Sequence, residues 1–249
     1  MTGVELFLLC ILFLAAATLY TSVGHAGASG YIAAMAIMGL APDVMKPTAL
    51  TLNILVAGLS TARWTENGRT LAWKSLLPLV VASVPAAFIG GAYQLTTQQY
   101  RLLVGLVLLA AAVRFLWQPK AEDTATPIET NVPWPAGLLT GAFVGLLSGL
   151  TGTGGGIFLT PLLLLLGWAG ARQASGLTAP FILLNSIAAL AGNVAAIQKL
   201  PSELPFFVAA AMAGALIGTQ IGTRLISTST LQRLLGVVLL IAAGKFLFG

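Results

Sequence analysis

RLLVGLVLLAAAVRFLW at 101–117 lies over QRLLGVVLLIAAGKFLF at 232–248, with Gly105 on Gly236, Arg114 on Lys245 and Phe115 on Phe246. Working back along both segments, Pro78 and Gly91 fall on Pro205 and Gly218, and Gly24, Gly27 and Gly39 fall on Gly152, Gly155 and Gly167. After a two-residue shift Thr48 and Ala49 fall on Thr178 and Ala179, and Asn53 and Asn185 occupy the same region of their segments. Apolar helices align easily by chance, so the weight rests on the glycines, the prolines and the basic residues near the ends. A duplicated unit of this size decides the architecture.

The composition says where such a chain lives. Of 249 residues 57% are hydrophobic, only 8% are charged and the mean hydropathy is +0.94. Soluble domains carry roughly 25% charged residues, so this is expected to be an all-α polytopic membrane protein in a lipid bilayer. Apolar segments fall near 4–22, 26–40, 47–62, 73–93 and 99–117, then 134–150, 154–167, 177–196, 204–222 and 230–248. Between the two sets lies a polar, proline-rich stretch, 118–133, with Pro119, Pro127, Pro133, Lys120, Glu122, Asp123 and Glu129. The chain therefore divides into a first repeat at 1–117, a linker at 118–133 and a second repeat at 134–249, each repeat with about five hydrophobic segments.

An odd number of segments per half inverts the second copy relative to the first, a common transporter plan. With ten crossings, Arg63, Arg69, Lys74, Arg114, Lys120, Arg172, Arg224 and Arg233 fall on one side, and Lys46, Arg101, Lys199 and Lys245 on the other. The excess marks the cytoplasmic side, which puts both termini outside and the linker inside. The basic residues are scattered, so the net charge of +5 does not point to nucleic acid. Glu5 and the lack of a basic residue before the first apolar stretch argue for a retained first helix. Cys10, the single cysteine, excludes an internal disulfide framework, and no cofactor is implied.

Segments 26–40 and 154–167 are too short to span a core of about 30 Å at about 1.5 Å per residue. They are expected to be short helices broken by glycine, or halves of re-entrant hairpins with Lys46 and Arg172 near the tips. Gly152, Gly154, Gly155 and Gly156 interrupt the second half, and Gly24, Gly27 and Gly30 the first. Glycine holds a helix poorly. A break that opens a helix inside a membrane exposes N–H groups and the positive end of the helix dipole to a cavity, which suits an anion. Thr151 and Thr153 add hydroxyls there, and Ser29 and His25 flank the first break. Thr48, Asn53, Thr178 and Asn185 are expected to face the interior, where a polar side chain needs a partner. His25 is also a candidate to carry a coupling proton near neutral pH.

The paired halves, the block LTGTGGGIFLTP at 150–161 with Gly167 closing its leucine run, LTAP at 177–180 and the GVVLL of 236–240 resemble the sulfite exporter TauE/SafE family of bacterial membrane permeases. The first half departs from the family's glycine-rich pattern, with His25-Ala26-Gly27-Ala28-Ser29 in its place. The resemblance implies an inner-membrane secondary transporter, not an enzyme, for a small sulfur-containing anion such as sulfite, sulfoacetate or thiosulfate. A coupling proton or ion and assembly as a homo-oligomer are compatible with it. Two other classes remain open at this stage. Gly27-Ala28-Ser29-Gly30 matches the nucleophile motif of rhomboid-like intramembrane serine proteases, although the only histidine lies four residues away in the same turn. A channel or structural membrane protein is the third.

Overall fold

In a computed structural model the described residues are 2–66, 72–117, 132–221 and 228–248. Most of the linker (118–131), with Pro119, Lys120, Glu122, Asp123, Pro127 and Glu129, lies outside them, as do Arg69 and Arg224. Among the described residues the chain forms α1 (Gly3–Ser22), α2 (Ala28–Ile37), α3 (Pro42–Glu66), α4 (Trp73–Ala92), α5 (Thr97–Leu116), α6 (Trp134–Thr151), α7 (Gly156–Leu165), α8 (Ala171–Gly192), α9 (Leu204–Ile221) and α10 (Thr228–Phe248). One 3-10 segment, Val194–Lys199, follows α8. Local chemistry sets several ends. Thr2 with Glu5 and Thr96 with Gln99 form reciprocal capping boxes that start α1 and α5.

α3 and α8 are longer than the apolar runs suggest. α3 begins at Pro42, where a missing N–H leaves no helical bond unmade, and runs on through Pro47. α8 begins after Gly170. Lys46 and Arg172 therefore belong to long helices and do not sit at hairpin tips. With 25 and 22 residues, α3 and α8 reach about 38 and 33 Å. The partial helices are α2 and α7, each of 10 residues and about 15 Å.

The interior is mainly apolar, with Phe13, Tyr31, Leu108, Phe181 and Phe207 buried, but it also encloses polar side chains, and the outer face is apolar as lipid requires. Thr48, Asn53, Ser83, Ser148, Thr178 and Asn185 have no exposed surface, while Phe7, Val81, Leu102, Leu139, Phe206 and Ile241 face outward. Among the described residues five helices, α1, α4, α5, α6 and most of α8, are long and apolar enough to cross a membrane. This is a multi-pass, all-α membrane protein.

The most extensive helix contacts join one half of the chain to the other: α4 with α6, α1 with α9, α5 with α10, and α8 with both α3 and α4. The directions are informative. The start of α3 meets the segment after α8 through Asp43 and Lys199 at 3.2 Å, and its end packs Trp64 on Gly176 near the start of α8. α3 and α8 thus run antiparallel. So do α5 and α10, where Gly105 lies against Leu247 and Gly236 against Leu116. By contrast α4 runs parallel to α6, and α1 parallel to α9.

A glycine every fourth residue brings α6 onto the backbone of α4. Gly141, Gly145 and Gly149 meet the carbonyls of Leu79, Ser83 and Ala87, and Gly214 and Gly218 of α9 meet those of Leu14 and Thr18 on α1. A methyl group has no room in these contacts. Gly145→Ala is expected to lower stability by about 1–3 kcal/mol. Gly244→Ala, at a helical site with nothing within 4 Å, should leave it unchanged or raise it. Thermal unfolding in detergent checks this, and equal melting of the two variants contradicts it.

Candidate substrate site

Both partial helices start the same way. Gly27, at φ 104, precedes α2 and Gly155, at φ 84, precedes α7; no side chain caps either helix. Gly24, Gly152 and Gly154 also have positive φ, a region that side chains other than glycine rarely enter. The first helical bonds run from Tyr31 N–H to Gly27 O and from Phe158 and Leu159 N–H to Gly155 O. The N–H groups of Ala28, Ser29 and Gly30, and of Gly156 and Ile157, thus have no acceptor within their helices. All five residues are buried.

Each break leans on the third helix of the opposite half. At the second break, Asn53 of α3 donates from Nδ2 to Thr153 O at 3.3 Å and to Ser186 Oγ at 3.4 Å. Gly154 faces Asn53, Ile182 and Ser186, and Gly152 faces Lys46. At the first break, Gly24 lies against Ser175 of α8, whose hydroxyl donates to Val23 O at 3.0 Å. His25 ties the two breaks together. Its Nε2 meets Thr160 Oγ1 of α7 at 3.0 Å, and Thr160 meets Thr178 Oγ1 of α8 at 2.8 Å.

Several expected donors are turned onto protein acceptors. Thr151 donates to Leu147 O at 2.7 Å and lies 2.9 Å from the Thr153 hydroxyl, and Thr178 donates to Ala174 O at 2.7 Å. Asn185 is not drawn to the breaks. Its Nδ2 donates to Phe181 O at 2.8 Å and to Ser83 Oγ at 3.1 Å, tying α8 to α4. Ser29 donates to the Tyr20 hydroxyl at 2.7 Å, so it and His25 have separate partners and form no nucleophile–base pair. Among the described residues, the buried side-chain atoms without a partner are Thr48 Oγ1, Asn53 Oδ1, Asn185 Oδ1, Ser60 Oγ, Arg114 Nε and Ser148 Oγ, the last on a residue that packs at Gly155.

Two contributors, Thr160 and Tyr100, carry no motif of their own, and a third, Lys46, was expected near a hairpin tip instead of within a long helix. Thr160 lies inside the glycine block, four residues past Gly156, a spacing that puts both on one helix face. Tyr100 of α5 donates to Thr151 O at 3.0 Å and steadies the end of α6. Lys46 is buried and donates from Nζ to Gly90 O at 3.2 Å and Gly91 O at 3.1 Å. Its signal was an amine inside a membrane-length helix.

A cavity of about 280 Å³ opens at the other end of α2, lined by Gly39, Leu40, Met45, Arg101 and Lys245 among others. Its cations already serve helix ends: Lys245 Nζ donates to Ile37 O at 2.7 Å and Arg101 to Lys245 O at 3.5 Å. The breaks, with unused N–H groups and unpartnered polar atoms, are the stronger candidate.

Residues 8–246, nearly the whole chain, match the sulfite exporter TauE/SafE family. The chain belongs to the sulfite exporter TauE/SafE family. It is also similar to a protein of Sinorhizobium fredii (strain NBRC 101917 / NGR234) named probable membrane transporter protein y4hK, with 39% identity over 241 residues, 96% of this chain and 97% of that protein. No solved structure matches it. As a TauE/SafE protein the chain is a membrane permease.

Asn53 is the clearest tether of the family's glycine block in this chain. Asn53→Ala strands the buried Thr153 carbonyl, and unfolding in detergent should show a loss of about 1–3 kcal/mol. Wild-type stability would contradict the tether.

Proposed function

We propose that this TauE/SafE permease is a secondary transporter for a small sulfur-containing oxyanion such as sulfite, sulfoacetate or thiosulfate, bound between the first turns of α2 and α7. The observation that carries this is two uncapped helix starts, Gly27–Ala28 and Gly155–Gly156, in a buried interior that also holds the unpartnered Thr48 hydroxyl of α3. Unsatisfied N–H groups at a helix start favour negative charge. Away from water their dipoles act more strongly than they would in solvent. Thr48 offers the anion a hydroxyl donor. Gly24, His25, Gly27 and Ser29 form one wall, Thr151, Gly152, Thr153, Gly154, Gly155 and Gly156 the other, and Asn53 and Thr178 hold the second wall in place.

The antiparallel course of α3 against α8 and of α5 against α10 supports two inverted repeats, 1–117 and 134–249. An inverted pair can open the site to either side by rocking one set of helices against the other. The excess of Lys and Arg on one side supports a protein of the bacterial inner membrane with both termini extracytoplasmic and the linker at 118–133 inside.

Thermal unfolding of purified protein with sulfite, sulfate, thiosulfate, sulfonates and carboxylates tests the ligand class, because a ligand that binds only the folded state raises its stability. At least one sulfur anion should raise the melting temperature. Stabilisation by carboxylates alone, or by none of these anions, contradicts the proposal. Thr48→Val gives a sharper test. Removing a buried hydroxyl without a partner should not lower the melting temperature, yet it removes a donor to the anion. A hydrogen bond to a charged group contributes about 1.5–3 kcal/mol, so anion affinity should fall roughly tenfold or more. Unchanged affinity contradicts the placement.

A further inference from the structure

His25 sits where the two breaks meet, and the hydrogen bonds around its ring show which protonation states the site can hold. Thr178 can donate its hydroxyl proton to Ala174 O at 2.7 Å. The 2.8 Å contact between the two threonine hydroxyls can run either way, so Thr160 can donate to Thr178 or turn its proton elsewhere. When Thr160 donates to Thr178, its lone pairs face His25 Nε2 at 3.0 Å and accept from a protonated ring; when Thr160 turns its proton to Nε2, it serves the neutral ring. The other nitrogen, Nδ1, faces the Val23 carbonyl at 3.3 Å, which is also an acceptor. A neutral imidazole has one N–H and an imidazolium has two. With Nδ1 on a carbonyl and Nε2 on a hydroxyl that can accept or donate, the site can hold the ring in either protonation state.

The surroundings add a condition. Val23 caps the C-terminus of α1, the negative end of that helix, which favours a cation. The positive starts of α2 and α7 oppose it. Tyr20 of α1 is the titratable side chain beside the ring, 6.4 Å away between ring centres, and its hydroxyl accepts from Ser29. On α2 the Tyr31 hydroxyl is turned to Ala26 O at 2.8 Å. α7 and α8 present the hydroxyls of Thr160, Thr178 and Ser175. Among the described residues no carboxylate pairs with His25. The counter-charge for a protonated ring is then the anion itself.

We propose that His25 is the proton-binding site of this permease and that one proton binds there together with the anion, each raising the other's affinity. This rests on the anion site proposed above. The proton comes from solvent on the side where the anion enters and returns to solvent on the side where it leaves. The two charges partly cancel inside the protein, which lowers the penalty of carrying either alone through a low dielectric. Binding linkage requires the coupling to be reciprocal.

The test is calorimetric titration of purified protein with thiosulfate, whose own charge does not change across mildly acidic to mildly alkaline pH, in buffers of different ionisation enthalpy. Wild-type affinity should fall as pH rises, approaching about tenfold per pH unit, with uptake of about one proton per anion where the slope is steepest. His25→Gln, which still offers an N–H to Thr160, should bind thiosulfate with neither pH slope nor proton uptake. Thr160→Val removes an acceptor from the charged ring and should move the midpoint of the profile to lower pH, and Thr160→Ser should restore it. This pair decides the matter if His25→Gln does not fold. A pH-independent wild-type affinity overturns the proton site alone, as does a wild-type slope in His25→Gln or a wild-type midpoint in Thr160→Val. The absence of thiosulfate binding at every pH overturns the anion site and the proton site with it.

Discussion

A polypeptide that leaves the helical ladder inside a bilayer must have its N–H and C=O groups met by protein or by something bound in a cavity. Here the chain leaves the ladder twice, between α1 and α2 and between α6 and α7, and much of the molecule follows from how those two breaks are held. Three of their carbonyls are met by side chains: Thr151 O by Tyr100, Thr153 O by Asn53 and Val23 O by Ser175. The first N–H groups of α2 and α7 have no acceptor in their own helices and no side-chain cap. Those uncommitted donors are what the proposed anion would use.

Holding the breaks this way requires the halves to interlock. Asn53 and Lys46 on α3 serve the second break, and Ser175 and Thr178 on α8 serve the first break or the histidine within it. The glycine rows on α6 and α9 let those helices lie on the backbones of α4 and α1, so the two halves share one interior. Van der Waals contact and interhelical polar bonds hold such an interior, since lipid supplies no hydrophobic drive between helices.

The positions of the ten helices were legible because an apolar run in lipid has few alternatives to a helix, and the glycine blocks marked the partial helices. The early starts of α3 and α8 were not, because Pro47 reads as a first-turn residue when Pro42 also qualifies, and the polar run before Leu177 reads as a loop. Within the site, Gly27, Gly154 and Gly155 were legible from their chemistry alone. The separate fates of Asn53 and Asn185 were not. Similar in sequence context, they face different neighbours, the second break in one case and Ser83 on α4 in the other. Thr160 was hidden because a threonine in a leucine-rich helix normally bonds its own backbone, and only the fold brings His25 beside it.

The most direct measurement is anomalous diffraction from crystals grown with selenite or selenate, the heavier congeners of sulfite and sulfate. The account predicts a single strong peak between the first turns of α2 and α7, within hydrogen-bond reach of the Thr48 hydroxyl. A peak confined to the cavity between Arg101 and Lys245, or to the protein surface, would contradict it.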